Sequence, residues 1–439
     1  MRARTSAIII GAGIAGLATA RVLSDHVDEV RILERDRLPQ RRVPRPSVPQ
    51  GRHAHALLEV GERLLDTWFP GLTAELEAGG AVTLNAAALL GHQSRGRRVL
   101  ADPGSFSLST SRPLLEGTIR ALLTSQRDAV SVGDETAVDG LLVEDGRVTG
   151  VEVDGVRHRA DLVVACTGRH TRFLDQLAEK GFSAPPMSEV DIGVTCGTCV
   201  VSRRPDDFRG ALAVAVDDPV AGHRIGMMVP AEGNLWIVSL ASSHSEEPSA
   251  EPSAFEAFAR SMPLPLIAEV LARGEVVTPV MTYRMPVSRR RHVERLTRPP
   301  AGFLVLGDAV CSFNPLHAQG VSSAALQAQA LGNAVARHGP SSAALPRDFY
   351  RRVARIIDVP WRIAAQEEAA VGDGASEPAG TDLLDRYLGR ALRAGRTCVP
   401  VARQALRVRQ LRASPATLMT PAMILRVLLS GYLSPARTR

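Results

Sequence analysis

The period of the apolar residues changes several times along this chain, and each change marks an element. Ala7–Ile10 is a short apolar run with β-branched residues, which predicts a buried strand. Leu17, Ala20 and Leu23 recur at helical spacing, and Val30–Leu33 is a second buried strand. A helix is predicted from Gln50 to about Trp68 and another over Leu114–Ser125, with Pro113 suited to a first turn. Val82–Leu90 and Val99–Thr110 carry strand character. Short strands follow at Val130–Gly133, Val138–Glu144, Val148–Val153 and Val156–Arg159, with a hairpin turn at Asp145-Gly146. Asp161–Ala165 is one more buried strand, expected to return to the first sheet, and His170–Lys180 reads as a helix.

The pattern then changes character. Val190–Ala241 alternates in long strands, which predicts a second, antiparallel sheet. Two short helices and a strand over Val276–Tyr283 come next. Phe303–Leu306 is a buried strand, Val321–Ala336 is Ala-rich and helical, and Pro346 onward is helical with Pro and Gly breaks. Leu418–Leu433 holds Pro421 and Arg426 and reads as a docked amphipathic helix. The fold class is α/β, with a sheet-built insertion and C-terminal helices.

Between the first strand and its helix stands Gly11-Ala12-Gly13-Ile14-Ala15-Gly16, a GxGxxG turn. Gly11 suits the tight turn, Gly13 the approach of a pyrophosphate, and Gly16 close helix–strand packing. The helix N-terminus offers N–H groups to phosphate, and Glu34 ends the second strand where a ribose would lie. This pattern predicts a bound dinucleotide and leaves FAD and NAD(P) both open.

Composition narrows the partners. The chain has 439 residues, 45% hydrophobic and 22% charged, enough for two or three domains. Net charge is +6, and every basic residue but Lys180 is arginine. The arginines are spread along the chain and aromatic content is 4%, so a nucleic-acid surface is not expected. The odd number of cysteines, five, argues against a disulfide framework. Cys196 and Cys199 form a CxxC, but positions i and i+3 of a strand face opposite ways and no second pair follows, so no metal site is expected. The N-terminus leads straight into a strand, and no uncharged apolar run reaches about eighteen residues. A soluble, cytoplasmic protein is expected.

Arg35–Gly51 is an Arg/Pro-rich loop whose arginines read mostly as solvated, with Arg52 the best phosphate contact among its neighbours. His53 and His55, two apart, would not share a helix face. A second informative stretch is Gly307-Asp308 to Gly320. Its strand end presents a carboxylate, and its Pro-Leu-His-Ala-Gln-Gly turn feeds a helix N-terminus that favours negative charge.

Five segments together carry a family resemblance: GAGIAG with Glu34, PQGRHAHALL at Pro49–Leu58, TSRPLLEGTIRALL at Thr110–Leu123, ADLVVACTGRHTR at Ala160–Arg172, and GDAVCSFNPLHAQGVSSAALQAQAL at Gly307–Leu331. The chain resembles the single-component FAD-dependent monooxygenases of the para-hydroxybenzoate hydroxylase superfamily, nearest the bacterial branch of polyether epoxidases and flavoprotein cyclases. The resemblance implies a discontinuous, Rossmann-like FAD-binding domain (1–80, 111–175, 286–340), substrate-domain segments (81–110, 176–285) and a helical region (341–439). It places Gly11, Gly13, Ala15 and Gly16 along the FAD pyrophosphate and Glu34 at the ribose. Arg35 and Val138 would lie at the adenine, and Arg52 and Arg112 by the pyrophosphate and ribityl chain. Asp308 would bind the ribityl or pyrophosphate region, and Pro315, Gly320 and Val321 would border the isoalloxazine. It further implies NADPH or NADH as transient reductant, capture of O2 as a flavin hydroperoxide, and epoxidation or hydroxylation of a lipophilic natural-product intermediate.

Two departures stand out. Ala165-Cys166-Thr167-Gly168 replaces a motif that usually carries aspartate, and His317-Ala318 replaces Tyr-Gly. His317 is thereby a candidate acid/base beside the flavin. The departures also keep open a redox-neutral cyclase, of the Diels–Alderase kind in polyketide antibiotic biosynthesis, and less strongly a flavin reductase acting on a prenyl-type lipid.

Overall fold

β1 (Ser6–Ile10) leads through the glycine turn into α1 (Ile14–Leu23) and out along β2 (Glu29–Leu33). The computed structural model describes residues 4–39, 43–55, 57–84, 89–93, 108–207, 213–218, 224–369, 383–395 and 398–430. α2 (Glu59–Trp68) and α3 (Leu72–Ala78) precede three short strands, β3 (Val82–Thr83), β4 (Leu89–Gln93) and β5 (Leu108–Ser109). The rest of the strand expected over Val99–Thr110 lies outside the described residues. α4 (Arg112–Gln126) runs into β6 (Val130–Gly133). β7 (Gly140–Glu144), β8 (Arg147–Val153) and β9 (Val156–Arg159) form a small antiparallel sheet of their own, with the hairpin at Asp145-Gly146. β10 (Leu162–Ala165) then returns to the core, followed by α5 (Phe173–Glu179).

The middle of the chain is the second sheet. Its strands are β11 (Met187–Ser202), β12 (Ala213–Asp218), β13 (Arg224–Ala231) and β14 (Leu235–Ser243). After α6 (Pro252–Arg260) and α7 (Leu266–Arg273) comes β15 (Met281–Arg291). β16 (Phe303–Val305) goes back to the first sheet and β17 (Cys311–Ser312) to the second. The chain ends in helices: α8 (Gly320–His338), α9 (Leu345–Ala369), α10 (Leu383–Gly395), α11 (Val399–Arg409) and α12 (Pro421–Ser430).

The first sheet is parallel throughout, in the order β16-β10-β1-β2-β6. Its residues Ile9, Val30, Ile32, Val163, Val164 and Leu304 are fully buried, as expected of strands covered on both faces. The second has seven strands, β17-β15-β11-β14-β13-β12-β4, antiparallel except where β12 meets β4. One face packs Trp236, Val238 and Leu240 against Phe255, Phe258 and Ile267 of α6 and α7. Cys199 belongs to that core and Cys196 to the cluster on the other face, so the CxxC does point two ways.

Three boundaries differ from the sequence reading. Gln50–Trp68 is not one helix. A 3-10 turn at Pro49–Arg52 is followed by an extended His53, and Leu58 is extended before α2 begins at Glu59. The strand expected at Val276–Tyr283 starts at Met281 and runs on to Arg291. Val276 and Val277 are exposed, and Pro279 interrupts pairing before it. Pro286 within β15 faces the bulge between Asp191 and Val194, where its missing N–H leaves no ladder bond broken. The helix expected from His170 begins only at Phe173. α12 docks through Val427 but leaves Leu425, Leu428 and Leu429 exposed.

The close approach in the first turn generates a stability prediction. A Cβ on Gly16 would stand 1.9 Å from the Gly11 carbonyl oxygen, and one on Gly11 would stand 2.8 Å from that of Cys166, at a φ of +104°. Gly16→Ala should lose about 3 kcal/mol of stability, read from the urea midpoint. An unchanged midpoint contradicts this packing.

Candidate functional site

β1 and α1 present the turn because the glycines allow it. Gly13 begins α1 with no side-chain cap, so the first N–H groups of the helix have no intrahelical partner. A Cβ at Gly13 would find nothing nearer than Nη2 of Arg45 at 3.8 Å, which leaves a cradle over the helix end. Gly307, at φ +72°, brings the second stretch against the same turn, since its Cβ would stand 3.0 Å from that of Ala15. The two motifs, some three hundred residues apart in sequence, meet here.

Glu34 is buried and largely committed. Oε2 accepts from the Ala12 N–H at 2.8 Å, and Oε1 from the Asp36 N–H at 3.0 Å. Arg45 lies 2.9 Å from Oε2, 3.6 Å from Asp36 and 2.7 Å from Glu116 of α4. Burial works against the Arg45 charge, but Glu116 and Glu34 outweigh it and raise its pKa. Arg112, at the start of α4, is 3.5 Å from Glu116. Arg45 is the buried arginine of this loop, whereas Arg52 is exposed at the end of its 3-10 turn. Arg35 is also exposed beside Glu34. Val138 is buried, and its carbonyl accepts from Arg172 at 2.6 Å.

On the second stretch, Asp308 lies near Gly320, whose Cβ would stand 3.7 Å from Oδ1. Burial raises the Asp308 pKa, opposed by Arg112 and Arg169. Pro315–His317 form a 3-10 turn, with Pro315 exposed and His317 half-buried. Ala318 follows at φ 54°, ψ 26°, the left-handed region that glycine occupies without penalty. This is the position where the resemblance expects Gly. α8 starts at Gly320, and Val321 is half-buried on its first turn. Cys166 sits under Gly11, its thiol pKa pushed up to about 12 by burial.

Two residues on the extended segment join the turns to the second sheet. His53 Nδ1 lies 2.8 Å from the Thr198 hydroxyl, which is 2.6 Å from that of Ser239. The Ala54 N–H donates to Ser239 at 3.1 Å. The His53 ring is 5.6 Å from Tyr283, over which Arg169 lies at 5.8 Å. Tyr283 and Leu316 pack with Ile192, Val194 and Met285 on this face. The site is therefore a cradle at the α1 N-terminus beside the parallel sheet, with a polar-and-apolar wall on the antiparallel one. A dinucleotide fits the first part: a bare helix N-terminus, a committed acidic residue with lone-pair capacity left, and a buried arginine beside them.

Residues 4–344 match the family model described as the FAD binding domain. The chain belongs to this family of FAD-binding proteins. It is 31% identical over 424 residues, 88% of this chain and 86% of the relative, to Protein Rv3254 of Mycobacterium tuberculosis. In fold it is similar to the flavin-dependent brominase Bmp2 (TM-score 0.70, 14% identity, 98% of this chain and 99% of that one). It is also similar to p-nitrophenol 4-monooxygenase PnpA of Pseudomonas putida (TM-score 0.61, 18% identity, 94% and 100%). PqsL of Pseudomonas aeruginosa, described as a probable FAD-dependent monooxygenase, gives a TM-score of 0.60 at 17% identity, covering 84% and 100%. The FAD-binding protein expected from the five segments is what this match shows.

The two histidines make the site acid-sensitive. Burial, with Arg52 adding, lowers the His53 pKa to about 4, and burial with Arg112 lowers that of His55 to about 3. Both lie below the unfolded value of 6.5, so the unfolded chain takes up protons first. Their contribution to stability is present above pH 6.5 and is lost as pH falls towards 4 and 3. His53→Asn should shrink the stability difference between pH 7 and pH 5 by about 2 kcal/mol, measured by denaturant unfolding at each pH. An unchanged difference contradicts a neutral, buried His53.

Proposed function

We propose that this protein is an FAD-dependent monooxygenase that epoxidises or hydroxylates a lipophilic natural-product intermediate, with NADPH or NADH as reductant. The observation that carries this reading is the antiparallel sheet face bearing Tyr283, Met285 and Val194, which packs with Leu316 of the Pro315–His317 turn. That puts a mainly apolar wall beside the stretch that would border a flavin ring. When bound, FAD supplies two-electron reduction by a nicotinamide and activation of O2. The protein's own residues hold, orient and exclude water.

In this reading Gly11, Gly13, Ala15 and Gly16 line the diphosphate at the α1 N-terminus. Glu34 accepts from the adenosine ribose with its remaining lone pair, and Arg35 and Val138 flank the adenine. Arg45, joined by Arg52 and Arg112, turns part of its charge from the carboxylates to the phosphates. Asp308 binds along the ribityl region, and Pro315, Gly320 and Val321 border the ring. His317 is the group that exchanges a proton with substrate where the reaction is a hydroxylation. Residues 1–80, 111–175 and 286–340 then act as one cofactor domain and 81–110 with 176–285 as the substrate domain, in front of the 341–439 helices. Five unpaired cysteines support a cytoplasmic setting.

A second reading, the redox-neutral cyclase of polyketide antibiotic pathways, is favoured by one observation. The segment that carries an aspartate in related sequences has Cys166 and Thr167 here, and the Cys166 thiol is held neutral by burial. One experiment separates the two. The FAD-loaded protein is mixed anaerobically with NADPH or NADH, then with O2, and flavin absorbance is followed. The monooxygenase predicts bleaching with one donor and reoxidation by O2. No bleaching with either donor overturns it and leaves the cyclase.

A further inference from the structure

The polar wall of the cofactor pocket contains one acceptor that the residues assigned so far leave unused. His55 Nδ1 lies 2.9 Å from the backbone carbonyl oxygen of His53. A carbonyl oxygen only accepts, so Nδ1 carries the proton and Nε2 presents a bare lone pair. Burial first, and Arg112 second, lower its pKa to about 3, so the ring is neutral at pH 7. The bond to His53 is the side-chain hydrogen bond that His55 makes among the described residues.

The ring lines a small pocket with Leu57, Leu108, Thr110, Arg112 and Val321. An acceptor in such a place calls for a donor. Among the described residues neither side-chain donor of the pocket bonds to Nε2: Arg112 Nε faces Glu116 at 3.5 Å, and the Thr110 hydroxyl donates to the Ser111 carbonyl at 3.4 Å. The pocket spans the interval from Arg112 to Val321, which the reading above gives to the stretch between pyrophosphate and isoalloxazine. The part of FAD that carries hydroxyl donors over that stretch is the ribityl chain.

We propose that His55 Nε2 accepts a hydrogen bond from a ribityl hydroxyl of bound FAD and so sets the register of the cofactor in its cradle. The proposal rests on the reading of the chain as an FAD enzyme. His55 is a cofactor-positioning residue whose proton is fixed by the His53 carbonyl, so the backbone of the His-Ala-His segment, and not a neighbouring carboxylate, makes it an acceptor. Leucine in its place would fill the space and remove the lone pair. Glutamine would return an acceptor oxygen at a similar reach.

Apoprotein is titrated with FAD and with FAD analogues each lacking a single ribityl hydroxyl, and binding is read from flavin fluorescence. The wild type should bind one analogue about tenfold more weakly than FAD. His55→Leu should bind FAD and that analogue alike, and His55→Gln should restore the difference. Two results overturn the proposal: a wild type that binds every analogue as tightly as FAD, or a His55→Leu that weakens all of them in parallel and so has a packing role only. If His55→Leu does not fold, 15N-histidine NMR of the wild type decides. The His55 Nε2 resonance should shift on binding FAD and stay unshifted with the discriminating analogue; no shift with FAD overturns the proposal. Failure of the underlying reading has a separate appearance, an apoprotein that binds no FAD at all.

Discussion

The structure turns on one buried charge cluster, Arg45 between Glu34 and Glu116, at the mouth of the glycine turn. Three charged side chains sit nearly out of water here, which is tolerable only because each has its counter-charge and hydrogen bonds within about 3 Å. The cluster ties the end of β2 to α4 through Arg45, which lies outside the helices and strands of the described residues. It also fixes Glu34 so that one carboxylate oxygen caps the Ala12 N–H while the carboxylate stays at the rim of the cradle. Around it the glycines do what side chains would prevent: Gly16 touches Gly11, Gly11 touches Cys166, and Gly307 touches Ala15. The cradle is the space left by those three approaches.

Polar contacts join the His53–Ala54 segment to the second sheet. His53, Thr198, Ser239 and the Ala54 N–H form a short chain of hydrogen bonds from the extended segment into the middle of β11 and β14. Each member is at least half-buried, so leaving any one unpaired would carry a desolvation cost. That chain ties the segment after the 3-10 turn to the strands beside Tyr283. The far face of the same sheet is closed by α6 and α7.

Local pattern carried much of this fold. The opening strand–helix–strand unit, the β7–β9 hairpins, the return of β10 to the first sheet and the antiparallel middle were legible because burial on one or both faces writes itself into period and β-branching. What escaped depends on partners far away in sequence. The sequence over His53–Leu58 carries a helical pattern, but the Ala54 N–H is taken by Ser239, 185 residues on. Arg45 looks like its arginine neighbours; only its position between Pro44 and Pro46 sets it apart, and its burial depends on Glu116, 71 residues away. The cofactor was readable from glycines and acidic tips, whereas the substrate is not, because the wall around Tyr283 is made of residue types that also build ordinary cores.

The central claim is that the cradle binds FAD through its phosphates, with Arg45 moving part of its charge from the carboxylates to them. The most direct measurement is the affinity of apoprotein for FAD and for riboflavin, which lacks phosphate, in the wild type and in Arg45→Lys. Lysine keeps the charge and its pairing with Glu34 and Glu116 but loses the planar fork. The account predicts at least about tenfold weaker FAD binding with riboflavin binding unchanged. Equal FAD affinity in the two proteins would contradict it.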